Sequence, residues 1–221
     1  MDIKISSESD KDPTLCPLFE KVGACSKGDL CNKSHRSLPL SRAIVLHHIF
    51  PDPDLFVSML PPGSLYIGID ARKRLINSFF LDISQTLMLF GQLDDLVIVG
   101  NKCDHLSGNV IGVYHESESA YAAKEALNNQ YYAGRKITVT MAPIQRLSYG
   151  FCYDLQKDGR CSQGDMCSFI HPIEPSPHIF EQIFPKNIKS FPSPFRNSKN
   201  PKAIDNPMDA LYGRTKAFNN F

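Results

Sequence analysis

Eight residues of this chain have the types and spacing to hold metal. Cys16, Cys25, Cys31 and His35 read C-x8-C-x5-C-x3-H, and Cys152, Cys161, Cys167 and His171 repeat all three intervals. Three thiolates and one imidazole complete the tetrahedral ligand set of a structural zinc. With every position taken by protein, nothing is left open for a substrate or an activated water. The pattern therefore points to two metal-built binding modules, with two structural Zn2+ ions, and away from metal catalysis. The copies agree beyond their ligands. Gly23 and Gly159 stand two residues before the second Cys, and Gly28-Asp29 and Gly164-Asp165 shortly precede the third. Glycine supplies the left-handed turns with which so short a segment wraps an ion. Such a segment has little apolar core, so zinc binding and folding are expected to be one event.

The remaining reactive residues form no catalytic set. Asp104-His105 could be drawn as an acid–base pair, but no nucleophile or phosphate-binding glycine loop accompanies it. His47-His48 is expected on a connector of helical character. Of seven cysteines, six belong to the two clusters and Cys103 is left over, a pattern that favours a reducing compartment over a disulfide framework. The N-terminus lacks the basic start and apolar run of a signal peptide. No apolar run reaches membrane-spanning length, so no membrane partner is expected.

Across 221 residues the formal net charge is +1, which argues against wholesale gripping of phosphates. The distribution says more. Lys21, Lys27, Lys33 and Arg36 make the first cluster basic, whereas Asp154, Asp158 and Asp165 balance the second. The tail from Lys186 onward is basic, and its prolines forbid a long helix.

Between the clusters the periodicity predicts an α+β domain of split-βαβ order. Ser64–Ile69 alternates like a half-buried first strand. Asp70 is the expected cap of a helix whose Leu75, Phe79, Ile83 and Leu87 recur every four residues, ending at Gly91. Strands follow at Leu96–Val99 and Val110–Tyr114, then a helix over Ser117–Asn128 and a strand at Lys136–Thr140. A further short helix, His178–Phe184, is expected against the second cluster.

Ala123–Asn128 followed by Gly134–Val139 resembles the second half of an RNA-recognition motif. The usual RNA-binding face of that fold carries aromatics on its central strands. Here the corresponding third-strand positions are Asn109 and Ile111, leaving Tyr66 as the one expected exposed ring. This sheet is thus a poor stacking platform, and the domain is expected to serve protein contact. The whole arrangement resembles the small subunit of the U2 snRNP auxiliary factor, on Gly23–Cys25, Pro39–Leu46, Cys103–Val110 and Leu127–Gly134. The resemblance divides the chain into a disordered start (1–12), CCCH finger one (13–37), a connector (38–63), an RRM-like domain (64–143), CCCH finger two (149–173) and a mostly disordered Pro/Asn/Lys-rich tail (174–221).

The resemblance implies a nuclear pre-mRNA splicing subunit and not an enzyme. Its fingers would bind the AG dinucleotide of single-stranded pre-mRNA at the 3′ splice site. Its central domain would hold a tryptophan-bearing segment of a large auxiliary-factor subunit, forming a heterodimer. By position, Phe19, Lys27, Asn32, Lys33 and Phe169 would contact RNA, and Phe79, Gln130, Tyr131 and Tyr132 would contact the partner. Departures from the family mark both sets. Asn32 stands where the family has Ser, and Glu20 lies close to the expected RNA surface. Gln130-Tyr131-Tyr132 replaces an Arg-x-Phe corner, and the first helix opens with Arg72-Lys73-Arg74 where the family is acidic. The alternatives are a CCCH RNA-binding protein with another role, in the minor spliceosome or in message stability, and a protein adaptor with weak RNA binding.

Overall fold

The computed structural model of the chain describes residues 14–36 and 38–185. The disorder expected of residues 1–12 and of the tail beyond 185 lies outside the described residues. The elements that position the clusters begin with β1, Ala43–His47, followed by the short helix α2, Pro53–Ser58, and the long helix α3, Ile69–Met88. The short helix preceding β1, Pro17–Val22, is α1. Next come β2 (Leu93–Val99), β3 (Val110–Tyr114), α4 (Ser117–Leu127), the two-residue strands β4 (Tyr131–Tyr132) and β5 (Arg135–Lys136), and β6 (Thr138–Ala142). The second cluster supplies α5 (Tyr153–Asp158), β7 (Pro172–Ile173) and α6 (Pro177–Ile183).

The main sheet has five antiparallel strands in the order β6-β1-β3-β2-β7. Its first four strands are the split-βαβ arrangement. β7 is added at the β2 edge, where Ile98 pairs with Ile173 and Val99 with Pro172. Alternate side chains go to opposite faces. Ile44, Leu46, Ile98, Val110 and Tyr114 join Ile76, Phe80, Ile83 and Leu87 of α3 and Ala120 and Ala123 of α4 in one core. Val45, Val97, Val99, Ile111 and Val113 join Val22, Ala24, Ile144, Leu147 and Ile170 in a second core on the other face. Helices cover one face and the metal clusters cover the other.

This sandwich corrects the expected first strand. Residues 64–67 are irregular and Tyr66 is 84% exposed, while the first strand is Ala43–His47, inside the stretch read as a connector. The reason is burial on both faces: Ala43, Ile44, Val45 and Leu46 are all buried, so the strand is a continuous apolar run without alternation. His47 accordingly ends a strand instead of lying on a helix. The cap of α3 is Gly68, ahead of Asp70 and without a side-chain cap bond. The last main strand is β6, shifted by the β4–β5 hairpin that occupies Tyr131–Lys136. The terminal helix forms, but Phe180 and Phe184 pack on Phe80 of α3 rather than on the second cluster. The chain leaves that cluster through β7 and crosses the sheet edge to reach the helix layer, where Asn77 and Ser176 exchange hydrogen bonds.

Candidate zinc fingers and nucleic-acid interface

The two clusters are built alike. Pro17 starts α1 directly after Cys16, a position where its missing N–H costs nothing. Gly23, at φ 70°, ends α1 in the left-handed conformation, and its N–H donates to the Phe19 carbonyl. A 3-10 turn at Gly28–Leu30 then delivers Cys31, whose N–H donates to the Gly28 carbonyl at 3.2 Å. The second cluster repeats each step with α5, Gly159 at φ 66°, and a 3-10 turn at Gly164–Met166. Parallel bridges close both, Leu15 with Ser34 and Phe151 with Ile170.

In each cluster the three sulfurs and one imidazole nitrogen lie within 4.8 Å of one another. Cys16 Sγ and Cys25 Sγ are 3.7 Å apart. That is far beyond a disulfide bond of about 2.05 Å. It matches the roughly 3.8 Å spanned by two zinc–thiolate bonds of about 2.3 Å at a tetrahedral angle. His35 Nε2 and His171 Nε2 are buried with no hydrogen-bond partner, which is costly for an imidazole unless a metal takes the lone pair. Burial lowers the pKa of His171, favouring the neutral, ligating form, and pushes the Cys167 thiol up to about 12. Ligation there must expel a proton. The residues fit two structural zinc ions, held by Cys16, Cys25, Cys31 and His35 and by Cys152, Cys161, Cys167 and His171.

Both fingers are seated on the sheet. Gly23 lies so close to β1 that an added Cβ would meet Val45 Cγ2 at 2.7 Å. Finger two is fixed by Asn101, which is buried. Its Nδ2 donates to the carbonyls of Cys167 (2.9 Å) and Phe169 (2.8 Å), and its Oδ1 accepts from the His171 N–H at 2.7 Å. The Gly100 N–H donates to the His171 carbonyl, Lys102 pairs with Asp165, and the Cys103 thiol donates to the Cys167 carbonyl. Cys103 is therefore a packing residue under finger two. These anchoring roles escape the sequence, where a polar residue after a strand reads as loop.

The fingers also touch each other. A Cβ on Gly150 would lie 2.6 Å from the Lys21 carbonyl, and the Lys21 ammonium sits 5.7 Å from the centre of the Phe169 ring. A cleft of about 530 Å3 opens between them, walled by Cys25–Gly28 of finger one, Met166 and Ser168 of finger two, and Cys103–His105 of the β2–β3 loop.

The structure distributes the other predicted contacts unevenly. Lys27 borders the cleft, and Asn32 and Lys33 are exposed just beyond Cys31. Phe19 stacks on the ligand His35, with centroids 4.6 Å apart and planes at 7°, so it orients a ligand. Its counterpart in finger two is the buried Leu155. Phe169 is 37% exposed beneath Lys21. Glu20 forms an ion pair with Arg36 at 2.9 Å, which offsets its charge near that surface. Asn109 and Ile111 are buried. Asn109 Oδ1 accepts from the His48 N–H and Nδ2 donates to the His105 carbonyl, so this position stabilises loops. On the helix side, Phe79 is buried against Phe50 and Tyr132, and the Tyr132 hydroxyl donates to Asp82 at 2.7 Å. Gln130 is exposed and Tyr131 is 72% exposed at the same corner.

No family model matches the chain. It is similar to a U2af small-subunit splicing factor of Arabidopsis thaliana, at 27% identity over 83% of this chain and 64% of that protein. A U2af small-subunit splicing factor of Oryza sativa is 31% identical over 74% of this chain and 53% of its own length. The chain thus spans less than two thirds of these plant relatives. The splicing factor U2AF 23 kDa subunit of Schizosaccharomyces pombe is 25% identical over 79% of this chain and 78% of its own length. Among solved structures, one described as the structure of RNA15 RRM covers 49% of this chain at 15% identity and TM-score 0.30, a likeness too slight to bear on fold or function. The chain is thus similar to U2AF small subunits over 74–83% of its length, and it carries two Cys3His clusters, one on either side of the sheet-forming segment in sequence.

Proposed function

We propose that the chain is an RNA-binding subunit of the splicing machinery. In this reading its paired fingers recognise the AG dinucleotide of a 3′ splice site, and its helix layer docks a segment of a large auxiliary-factor subunit. The observation that carries the RNA reading is the seam between the fingers. Side chains of both modules meet there around one cleft, with Lys27 at its wall and Phe169 under Lys21 beside it. Short single strands suit such a surface, because rings stack on splayed bases while backbone groups and amides such as Asn32 read base edges. The apolar sheet face that an ordinary RNA-recognition motif would offer is buried under the fingers, which supports a reading in which the fingers themselves contact RNA.

Partner docking is assigned to the corner formed by α3, α4 and the β4–β5 hairpin. Tyr131 presents an open ring there, Gln130 supplies amide hydrogen bonds without charge, and Tyr132 forms a rigid wall with Phe79 and Asp82. A splicing role would place the protein in the nucleus.

The test is binding of the zinc-loaded full chain to short RNAs centred on UAGG, against versions with AG changed to CG or AC, at one fixed salt concentration. Each wrong base is expected to cost about 1–3 kcal/mol, by analogy with mismatched DNA sites. Equal binding to all three would sink the AG reading. Calorimetry of the full chain with a tryptophan-bearing peptide tests the partner reading, where heat that disappears in Tyr132→Ala is the expected result and no heat with wild type is the contrary one.

A further inference from the structure

The seam between the fingers holds a ring that the proposed AG site does not use. Tyr149 is 57% exposed at the end of a 3-10 turn, Leu147–Tyr149, and the Arg146 guanidinium carbon lies 5.9 Å from its ring centre. The turn is fixed from below by Leu147, buried in the core beneath the fingers. Its position relative to finger two follows from the backbone. The parallel bridge pairs Phe151 with Ile170, the Ile170 N–H donates to the Gly150 carbonyl at 2.8 Å, and the Cys152 N–H donates to the Ile170 carbonyl at 3.0 Å. Phe169 directly precedes Ile170 and Tyr149 stands two residues before Phe151, so both rings leave the same end of this pairing from adjacent segments. Lys21 passes over the same place, since its carbonyl lies 2.6 Å from where a Gly150 Cβ would stand. Two exposed rings, each with its own cation, thus stand at one end of finger two beside the finger seam: Phe169 with Lys21 and Tyr149 with Arg146.

Resting on the RNA-binding reading, we propose that Tyr149 and Arg146 form an additional nucleotide subsite, which takes the base adjoining the one stacked on Phe169. A protein ligand would call for apolar side chains around the ring. Alternating rings and cations suit a single strand instead, with π-faces for successive bases and positive charge for the phosphates between them. Stacking tolerates every base, so this subsite adds affinity and length dependence, not sequence preference.

The experiment compares AG-containing RNAs of four nucleotides with the same RNAs extended by two nucleotides on either side, using the full zinc-loaded chain. Tyr149→Ala, Tyr149→Phe and Arg146→Gln are measured alongside, with zinc content and melting temperature as controls for folding. The expected result is that one of the two extensions tightens wild-type binding by roughly fivefold or more. Tyr149→Ala should abolish this gain, Tyr149→Phe keep it and Arg146→Gln reduce it, with the four-nucleotide RNA bound equally by all. If lengthening the RNA gains nothing, or gains as much in Tyr149→Ala as in wild type, the subsite is refuted while the AG reading stands. If wild type binds neither length, the RNA-binding reading itself fails and the subsite with it.

Discussion

Asn101 concentrates three hydrogen bonds on the last ligand loop of finger two, and all three involve backbone groups of Cys167, Phe169 or His171. Asn101→Ala would take the amide partner from the Phe169 carbonyl and the His171 N–H and leave the Cys167 carbonyl with the weak Cys103 thiol donor, at a cost of about 1–3 kcal/mol. The expected outcome is weaker zinc retention by finger two than by finger one, readable by a chelator competition that resolves the two ions. Asn101→Asp should be worse, because it replaces the donor to two carbonyls with an acceptor. His47 makes a different prediction. Burial first, and then the neighbouring His48, lower its pKa to about 4 from an ordinary 6.5, and its Nε2 is 2.8 Å from Thr140 Oγ1. A depressed folded pKa means that the unfolded chain binds the proton more readily. The contribution is therefore whole above about 6.5 and is lost as pH falls from there toward 4. His47→Gln should remove that slope, which is checked by comparing denaturation midpoints of wild type and variant across the interval.

At the scale of elements, the sheet explains what could and could not be read from the sequence. The fingers were legible because metal chemistry fixes ligand spacing to the residue, and the second copy repeated it. β3 and the two long helices were legible because their boundaries carry apolar periodicity and polar breaks. β1 was not. Strand recognition by alternation assumes one wet face, and Ala43–Leu46 has none, whereas the exposed segment 64–69 alternates by accident. The same burial hid the finger anchors, since Asn101 and Cys103 acquire meaning only when finger two folds back over β2. Val45, Val97, Val99, Ile111 and Val113 would face water without the fingers. Removing zinc should therefore expose a broad aliphatic surface, at roughly 1.5–3 kcal/mol for each such side chain fully uncovered. A hydrophobic dye should brighten on chelation while the α3 and α4 helical signal persists. Gly150→Ala tests the close approach of the fingers: its methyl would press on the Lys21 carbonyl, and about 1–3 kcal/mol of overpacking strain is expected in the melting transition.

For the molecule as a whole, two fingers distant in sequence share one core, so neither is an independent module. Cys16→Ser or Cys152→Ser should each abolish most RNA binding if the proposed joint reading is correct, because either loss dismantles the seam. A variant that binds like wild type would show that one finger suffices. β7 gives the zinc site a second consequence. It exists only because the chain emerges from His171 directly into pairing with Ile98 and Val99. Without the ion to fix that exit, β2 becomes an open, β-branched strand edge, a template on which another copy could add. The metal would then act as a guard against aggregation, and the metal-depleted chain should enter oligomers that light scattering detects and that added zinc prevents.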